Sequence, residues 1–439
     1  MEDVRSEEIK TINGRINWSL FFEEYWKKCP VLYKAPLSEP ILTNDDILKL
    51  LYIQGKKIRK SEPCDITIYD KDRIAIKGAI TSKRNRTEIE QFLPTQENDS
   101  LSNYLIKLSE IYRFKEYCIF SNGFHIYGHI WRKLKPFFKI IFENVDVSPL
   151  GLHTDLFIGN YTKTSFGAHK DNLDNFMFMI FGFKKMLLWH DKLWKDVLKN
   201  PSEDNYTLLD YEKYIPYSIQ VNLEPGDILY WPSEYWHVGE NGNQFSASIN
   251  IDYLIPSETN SIDTTIENSL RNIIFSDQNI HSKIRYHSKY NNPVHLPDEL
   301  YRSFTNITSR LNDENLVKLN LTIEWLRKVS AYGSNRSIIE NDTKIEIDKD
   351  TIIRSNPLYP IHYSVISHKL IVASAGNILV WPNKKELIKL IHVLNEGMII
   401  SLNKLYKRID GDIFIDLEAF IFLVQTLFKI HAIELTDKI

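Results

Sequence analysis

The sequence predicts a mixed α+β protein in which a strand-rich middle lies between helical segments. Between about residues 150 and 256, apolar runs of strand length (LHTDLFIGN, NFMFMIFGFKKMLLW, YSIQVNL, GDILYWP, FSASINIDYLI) are separated by Gly, Pro, Asn and Asp. Many short strands at this spacing suggest a barrel or sandwich. On both sides of that stretch the apolar spacing changes to the 3.6-residue period of helices. With 439 residues the chain also exceeds the usual span of a single domain.

Taken in order, WSLFFEEYWKK from Trp18 predicts a helix with Leu20, Phe21, Tyr25 and Trp26 on its inner side, limited by Pro30. VLYKAP reads as a short strand. Residues 41–54 hold a second helix with Thr43 or Asn44 as N-cap, and 66–79 alternate as strands. The stretch 84–104 is polar with little period and reads as a loop. From Tyr127 to Asn144, Trp131, Leu134, Phe138 and Phe142 fall in helical register. After Pro256, residues 262–334 return to helical spacing, with LRNIIF and LVKLNLTIEWLRKV the clearest segments. The polar stretch NRSIIENDTKIEIDKD then introduces a final unit. It has strands at 370–381, helices near 384–395, 401–409 and 416–429, and IHAIEL as a closing strand. Three helices and a terminal strand resemble a winged helix.

Composition narrows the function. Lys+Arg number 54 against 57 Asp+Glu, a formal charge of −3, which lacks the positive excess of domains that live on phosphate backbones. The helix DLEAFIFLVQTLFK, where a winged helix would read DNA, has two acidic residues and one lysine. Packing or partner docking is therefore expected there, not groove binding. Cys29, Cys64 and Cys118 are far apart and odd in number, which excludes a disulfide framework or a CxxC metal site. The charged N-terminal stretch MEDVRSEEIK and the lack of any long apolar run predict a cytoplasmic protein without a membrane anchor.

The chemistry concentrates in His169-Lys170-Asp171 and, 68 residues beyond His169, His237. Residues i and i+2 of a strand face the same way, so His169 and Asp171 can converge, and a histidine from a neighbouring strand can close a third side. Two imidazoles and one carboxylate on one face leave coordination positions open, the pattern expected of non-haem Fe(II). His125 and His129, spaced i, i+4, find no third ligand nearby and are assigned to packing. The EYW before His237 is read as strand packing that positions that histidine.

FGAHKDNLDNFMFMIFGFKKMLLW and EPGDILYWPSEYWHVGENGNQFSASINIDY resemble the two signature segments of the JmjC and cupin-like 2-oxoglutarate oxygenases. The resemblance is nearest to the ribosomal oxygenases and to the asparaginyl hydroxylase acting on hypoxia-inducible factor, and FFEEYWKKCPVLYKAP resembles the entry segment of the ribosomal group. It implies a double-stranded β-helix core over about 117–256 within a catalytic domain spanning 1–256. A helical dimerisation region at 257–340 and a winged-helix-like domain at 345–439 would follow. It also implies His169, Asp171 and His237 as ligands of Fe(II), with 2-oxoglutarate and O₂ as co-substrates. Lys184, fifteen residues after the first histidine, would pair with the distal carboxylate of 2-oxoglutarate, and Lys185 should face the opposite side. Asn175 and Asn250 match asparagines lining the co-substrate pocket. Where the asparaginyl hydroxylase has a co-substrate-binding threonine, three residues before the first histidine, this chain has Phe166; the hydroxyl would have to come from Ser165 or Thr164.

The implied activity is hydroxylation of a side chain in a peptide or protein substrate, with release of succinate and CO₂, by a homodimer. An aspartate in the triad tilts against demethylation. Two other functions share these motifs: tailoring hydroxylation of a ribosomally made peptide natural product, and a non-catalytic cupin-like scaffold acting through its helical and C-terminal surfaces.

Overall fold

The computed structural model describes residues 8–436 apart from 61, 63, 71–74, 78–88, 91, 99, 112–115, 165–166, 198–206, 209–210, 243, 257–261, 276–297, 335, 340–346 and 410–415. The chain divides into two compact units, one of Met1–Ser148 with Leu152–Asn260, the other of Pro149–Gly151 with Ser261–Ile439.

The first unit is built around two sheets. The larger has the order β1-β2-β12-β8-β14-β6-β5-β3-β4, from β1 (Lys10–Asn13), β2 (Val31–Lys34), β3 (Ile66–Asp70), β4 (Ala75–Lys77), β5 (Tyr117–Asn122), β6 (Leu152–Gly159), β8 (Leu173–Phe181), β12 (Ile228–Trp231) and β14 (Ser246–Leu254). The smaller, β10-β7-β13-β9-β11, comprises β7 (Ala168–His169), β9 (Lys184–His190), β10 (Thr207–Leu208), β11 (Ile219–Leu223) and β13 (Tyr235–Glu240). The chain crosses from one sheet to the other between β8 and β9, again between β11 and β12, and twice more before β14. The inward faces of the two sheets therefore meet. Met177, Leu229 and Trp231 of the larger sheet pack with Met186, Leu188 and Val221 of the smaller. Gly182 makes the β8–β9 turn with φ 75°, and a Cβ there would collide with the Phe245 carbonyl, so this turn requires glycine.

The helices of this unit show which sequence expectations needed tertiary context. Phe21 of α1 (Trp18–Glu24) and Tyr25 at its C-cap are buried while Leu20 stays 43% exposed, against the predicted inner face. The Phe21 ring lies 4.9 Å from Tyr230 and 5.3 Å from Phe176, so contact with the sheet turns Leu20 outward. Trp26 lies beyond the helix and stacks on Phe176 and Tyr230. α2 (Asn44–Arg59) starts in a capping box: Asp46 N–H donates to Thr43 Oγ1 at 3.3 Å, and Thr43 N–H donates to the Asp46 carboxylate at 2.7 Å. The expected loop at 84–104 is corrected at its end. α3 (Leu101–Ile111) begins inside it, burying Leu101, Tyr104, Leu105 and Leu108 at helical spacing. α4 (Gly128–Asn144) buries Trp131, Leu134 and Phe138, and α5 (Asp191–Val197) follows β9.

The second unit begins with α6 (Thr264–Phe275), α7 (Asp298–Leu311) and α8 (Glu314–Ser330). Asp313 caps α8 by accepting from Leu316 N–H at 3.1 Å. Strands β15 (Ile352–Ser355), β16 (His362–Ile366), β17 (Lys369–Ser374) and β18 (Asn377–Pro382) come next, then α9 (Lys385–Asn395), β19 (Ile400–Ser401), α10 (Leu402–Ile409), α11 (Leu417–Lys429) and β20 (Ile433–Leu435). β17 is buried on both faces, which explains its unbroken apolar run. Ile371 and Ala373 pack with Leu326 of α8, whereas Leu370 and Val372 join the core formed with α9, α10 and α11. β15 lies between β19 and β20 in a separate three-stranded sheet.

Candidate metal centre

His169 and His237 are directly opposite each other in the β7–β13 ladder. Asp171 follows two residues after His169. His169 Nε2 lies 3.4 Å and His237 Nε2 3.6 Å from Asp171 Oδ2, and the three candidate ligand atoms lie within 4.8 Å of one another. His169 Nδ1–H donates to the Gly167 carbonyl at 2.9 Å, and His237 Nδ1 sits 3.5 Å from the Tyr235 carbonyl. Fixing Nδ1 in this way turns both Nε2 atoms toward the carboxylate, the second-sphere arrangement typical of metal-binding histidines.

The protonation states suit a cation. Burial pushes His237 down to about 3, reinforced by the neighbouring His169, so its imidazole is neutral at physiological pH. Burial alone would raise Asp171, but the adjacent histidines hold it at about 2. His169 is raised overall: burial opposes its charge, and Asp171 more than restores it. Two imidazole nitrogens and an ionised carboxylate match the facial set of non-haem Fe(II) sites, and a divalent ion would replace the proton that Asp171 draws onto His169.

The triad opens on a pocket between the two sheets, whose lining includes Lys184, Asn175 and Asn250 as well as His169, Asp171 and His237. Strand parity separates the two lysines. Lys184, Met186 and Leu188 face the other sheet, while Leu187 and Trp189 pack outward with Trp194 and Trp236. Lys185 shares the outward parity. Lys184 is 1% exposed, donates to Ser248 Oγ at 2.7 Å, and lies over the Phe157 and Tyr161 rings at 5.2 and 5.7 Å. Burial lowers its pKa to about 8. Among the described residues no carboxylate pairs with it. A buried ammonium held only by a hydroxyl and two ring faces is costly unless an anion joins it.

Asn175 donates to Asp252 Oδ1 at 2.8 Å, and the side-chain oxygens of Asn175 and Asn250 are buried without hydrogen-bond partners among the described residues. Ser165 and Phe166 lie outside the described residues. Thr164 is described and lines the pocket.

Asp155 and Asp252 did not emerge from the sequence reading. Asp155 lines the pocket and accepts from Asn122 Nδ2 at 3.1 Å. Asp252 is raised well above the carboxylate range by burial first and by Asp155 second. Burial and the neighbouring carboxylates thus favour its neutral form. The alternation in LHTDLFIG, which sets Asp155 on one face with Phe157, was the available signal.

The remaining predicted positions have structural explanations. His125 is buried against Trp131 and Phe138, with Nδ1 3.0 Å from Thr154 Oγ1. Trp236 Nε1–H donates to Asp191 at 3.0 Å on the outward side of β13.

Residues 142–260 match the sequence family described as the JmjC domain. No curated protein sequence matches the chain. Among solved structures, one of Escherichia coli YcfD shares 14% identity over 96% of this chain and 98% of that one, with a TM-score of 0.49. A structure described as YcfD, a ribosomal oxygenase from Escherichia coli, in complex with cobalt and 2-oxoglutarate gives 13% identity, the same coverages and a TM-score of 0.49.

Proposed function

We propose, proceeding from the JmjC domain that residues 142–260 form, that this protein is an Fe(II)- and 2-oxoglutarate-dependent oxygenase that hydroxylates a side chain of a peptide or protein. The observation that carries the reading is the pairing, in one pocket, of the convergent His169–Asp171–His237 triad with a buried Lys184 that has no carboxylate partner among the described residues.

In this reading His169, Asp171 and His237 hold the iron on one face and leave its other positions to co-substrates. The bound ion would activate O₂ for insertion of one oxygen atom into a C–H bond while 2-oxoglutarate is converted to succinate and CO₂. The chain's own contribution is positional. Lys184 supplies a fixed charge for the distal carboxylate, and Ser248 holds its amine in place. Met177, Met186, Phe157 and Trp231 give the pocket apolar walls that exclude water. Asn175 and Asn250 line the same pocket, and their side-chain oxygens have no hydrogen-bond partner among the described residues. The helical region 257–340 would pair two copies of the chain, and the winged-helix-like 345–439 unit would help receive an extended polypeptide.

The test is incubation of the purified protein with Fe(II), 2-oxoglutarate and candidate peptides, followed by mass spectrometry and succinate measurement. The expected result is a peptide gain of one oxygen atom together with succinate. Succinate release without any peptide modification, or hydroxylation confined to free amino acids, would reject the polypeptide substrate.

A further inference from the structure

Strand pairing fixes only part of the triad. His169 and His237 face each other in the β7–β13 ladder, but β7 ends at His169, and Lys170 and Asp171 lie in the link to β8. The far end of that link is held by the Asn172 carbonyl, which accepts from Ile255 N–H at 2.8 Å. The near end is held by a side chain. Lys170 Nζ lies 3.4 Å from Asp191 Oδ1, and the same Oδ1 accepts from Trp236 Nε1–H at 3.0 Å. Lys170 stands between two of the ligands, and Trp236 immediately precedes the third. One carboxylate oxygen therefore joins the two segments that carry the triad, and it does so on the outward side, where Trp236 packs with Trp189 and Trp194. Asp191 is itself well placed for this: its N–H donates to the Glu234 carbonyl at 2.9 Å, and the Trp194 ring of α5 lies 5.3 Å from that of Trp236.

Resting on the metal centre of the oxygenase reading above, we infer that Asp191 is a positioning residue: its carboxylate gathers Lys170 and Trp236 at one point and so sets Asp171 against His237 at the spacing a divalent ion needs. A ligand set has to be held within about 0.5 Å of its working geometry by the groups behind it. Asp171 needs this most. Its side chain is 42% exposed, and no ladder partner holds its backbone, whereas both histidines sit in strands. Without the tether the 170–171 link is anchored only at its two ends, by the β7 ladder at His169 and by Asn172, and Asp171 is free to leave the histidines.

Titration of the full chain with Mn(II), followed by electron paramagnetic resonance of the free ion, reads metal affinity without turnover, and the visible absorption of the Co(II) form reads ligand geometry. Asp191→Ala should bind Mn(II) about tenfold more weakly, the lower end of the range for groups that orient metal ligands, because Asp191 acts one residue away from them. Its Co(II) bands should shift as well. Asp191→Asn keeps an acceptor for Trp236 and loses the charge facing Lys170, so its loss should be smaller and should match that of Lys170→Met. Lys170→Arg should recover most of the affinity. A role in folding alone would lower the melting temperature of the metal-free variants and leave Mn(II) affinity and the Co(II) bands as in the wild type; that result overturns the assignment, as does wild-type behaviour throughout. If Asp191→Ala does not fold, Lys170→Met decides, and wild-type Mn(II) affinity there overturns the assignment while leaving the oxygenase reading in place. Failure of the wild type itself to bind Mn(II) removes both.

Discussion

The two units of this chain distribute polarity in opposite ways. In the first, Lys184, Asn175, Asn250, Asp252, Asp174 and Thr164 are buried among apolar side chains, and among the described residues only Leu20, Leu37, Ile106 and Tyr217 are large hydrophobics exposed to solvent. The second exposes Ile262, Ile266 and Phe275 on or beside α6, Leu300, Tyr301 and Phe304 on α7, and Trp325 on α8, with Phe422 standing out from α11. Burying polar groups without full pairing costs stability and is retained where they meet a ligand. Exposed apolar clusters also have a cost, in solubility, and mark surfaces that meet another protein. The first unit therefore keeps polar side chains inside it, several of them around the pocket, whereas the second carries large apolar side chains on its outside.

The sharpest test of that contrast is at the triad. His237→Ala leaves two ligands, which rarely hold a first-row divalent ion, and metal content and turnover should disappear together; full iron occupancy by metal analysis would break the assignment.

Lys184→Ala should weaken 2-oxoglutarate binding by about 1.5–3 kcal/mol, the scale of a charge-assisted contact, while metal affinity holds. Lys185→Ala, on the outward face, should change neither quantity. Equal effects from the two lysines would show that strand parity has been misread.

Asp174 faces away from the pocket and accepts from Ser233 N–H at 3.0 Å. Burial lifts its carboxyl from the ordinary 3.8 to about 6, against the pull of that N–H and of Lys27. Because the folded state favours the neutral acid, the penalty is absent below about pH 4. It grows through pH 6 and is constant above, where it amounts to about 1–3 kcal/mol. Asp174→Asn should accordingly raise the melting temperature at pH 7.5 and do little at pH 4. A stabilisation of equal size at both pH values would contradict this origin.

The smallest expected effect lies on the second unit's surface. Phe304→Asp should weaken self-association by about 1–2 kcal/mol, the cost of losing one well-placed aromatic anchor, with no change in 2-oxoglutarate affinity. Light scattering decides it, and a monomeric wild-type protein would end the homodimer reading.

Some of this was legible in the linear chain because it depends on local periods. Two-residue parity separates Lys184 from Lys185, and Thr43, one of two N-cap candidates, caps α2; His169 and Asp171 do converge, but β7 ends at His169 and Asp171 lies in the link to β8, so strand alternation is not what brings them together. Leu101, Tyr104, Leu105 and Leu108 were equally periodic but were masked by the polar stretch around them. Other features depend on which strands meet, and no local period encodes that. Asn250 reaches the pocket because β14 pairs with β6 and β8, opposite Asp155 and Met177. Ser248 meets Lys184 across two sheets, next to a register shift between Ala247 and Ser248 in the β14–β8 pairing. Thr164 comes beside Lys184 only because its backbone bonds to Gly239. Each of these contacts joins residues distant in sequence through sheet register, and register is set by the packing of the two inner faces, a property of the assembled core and not of any one segment.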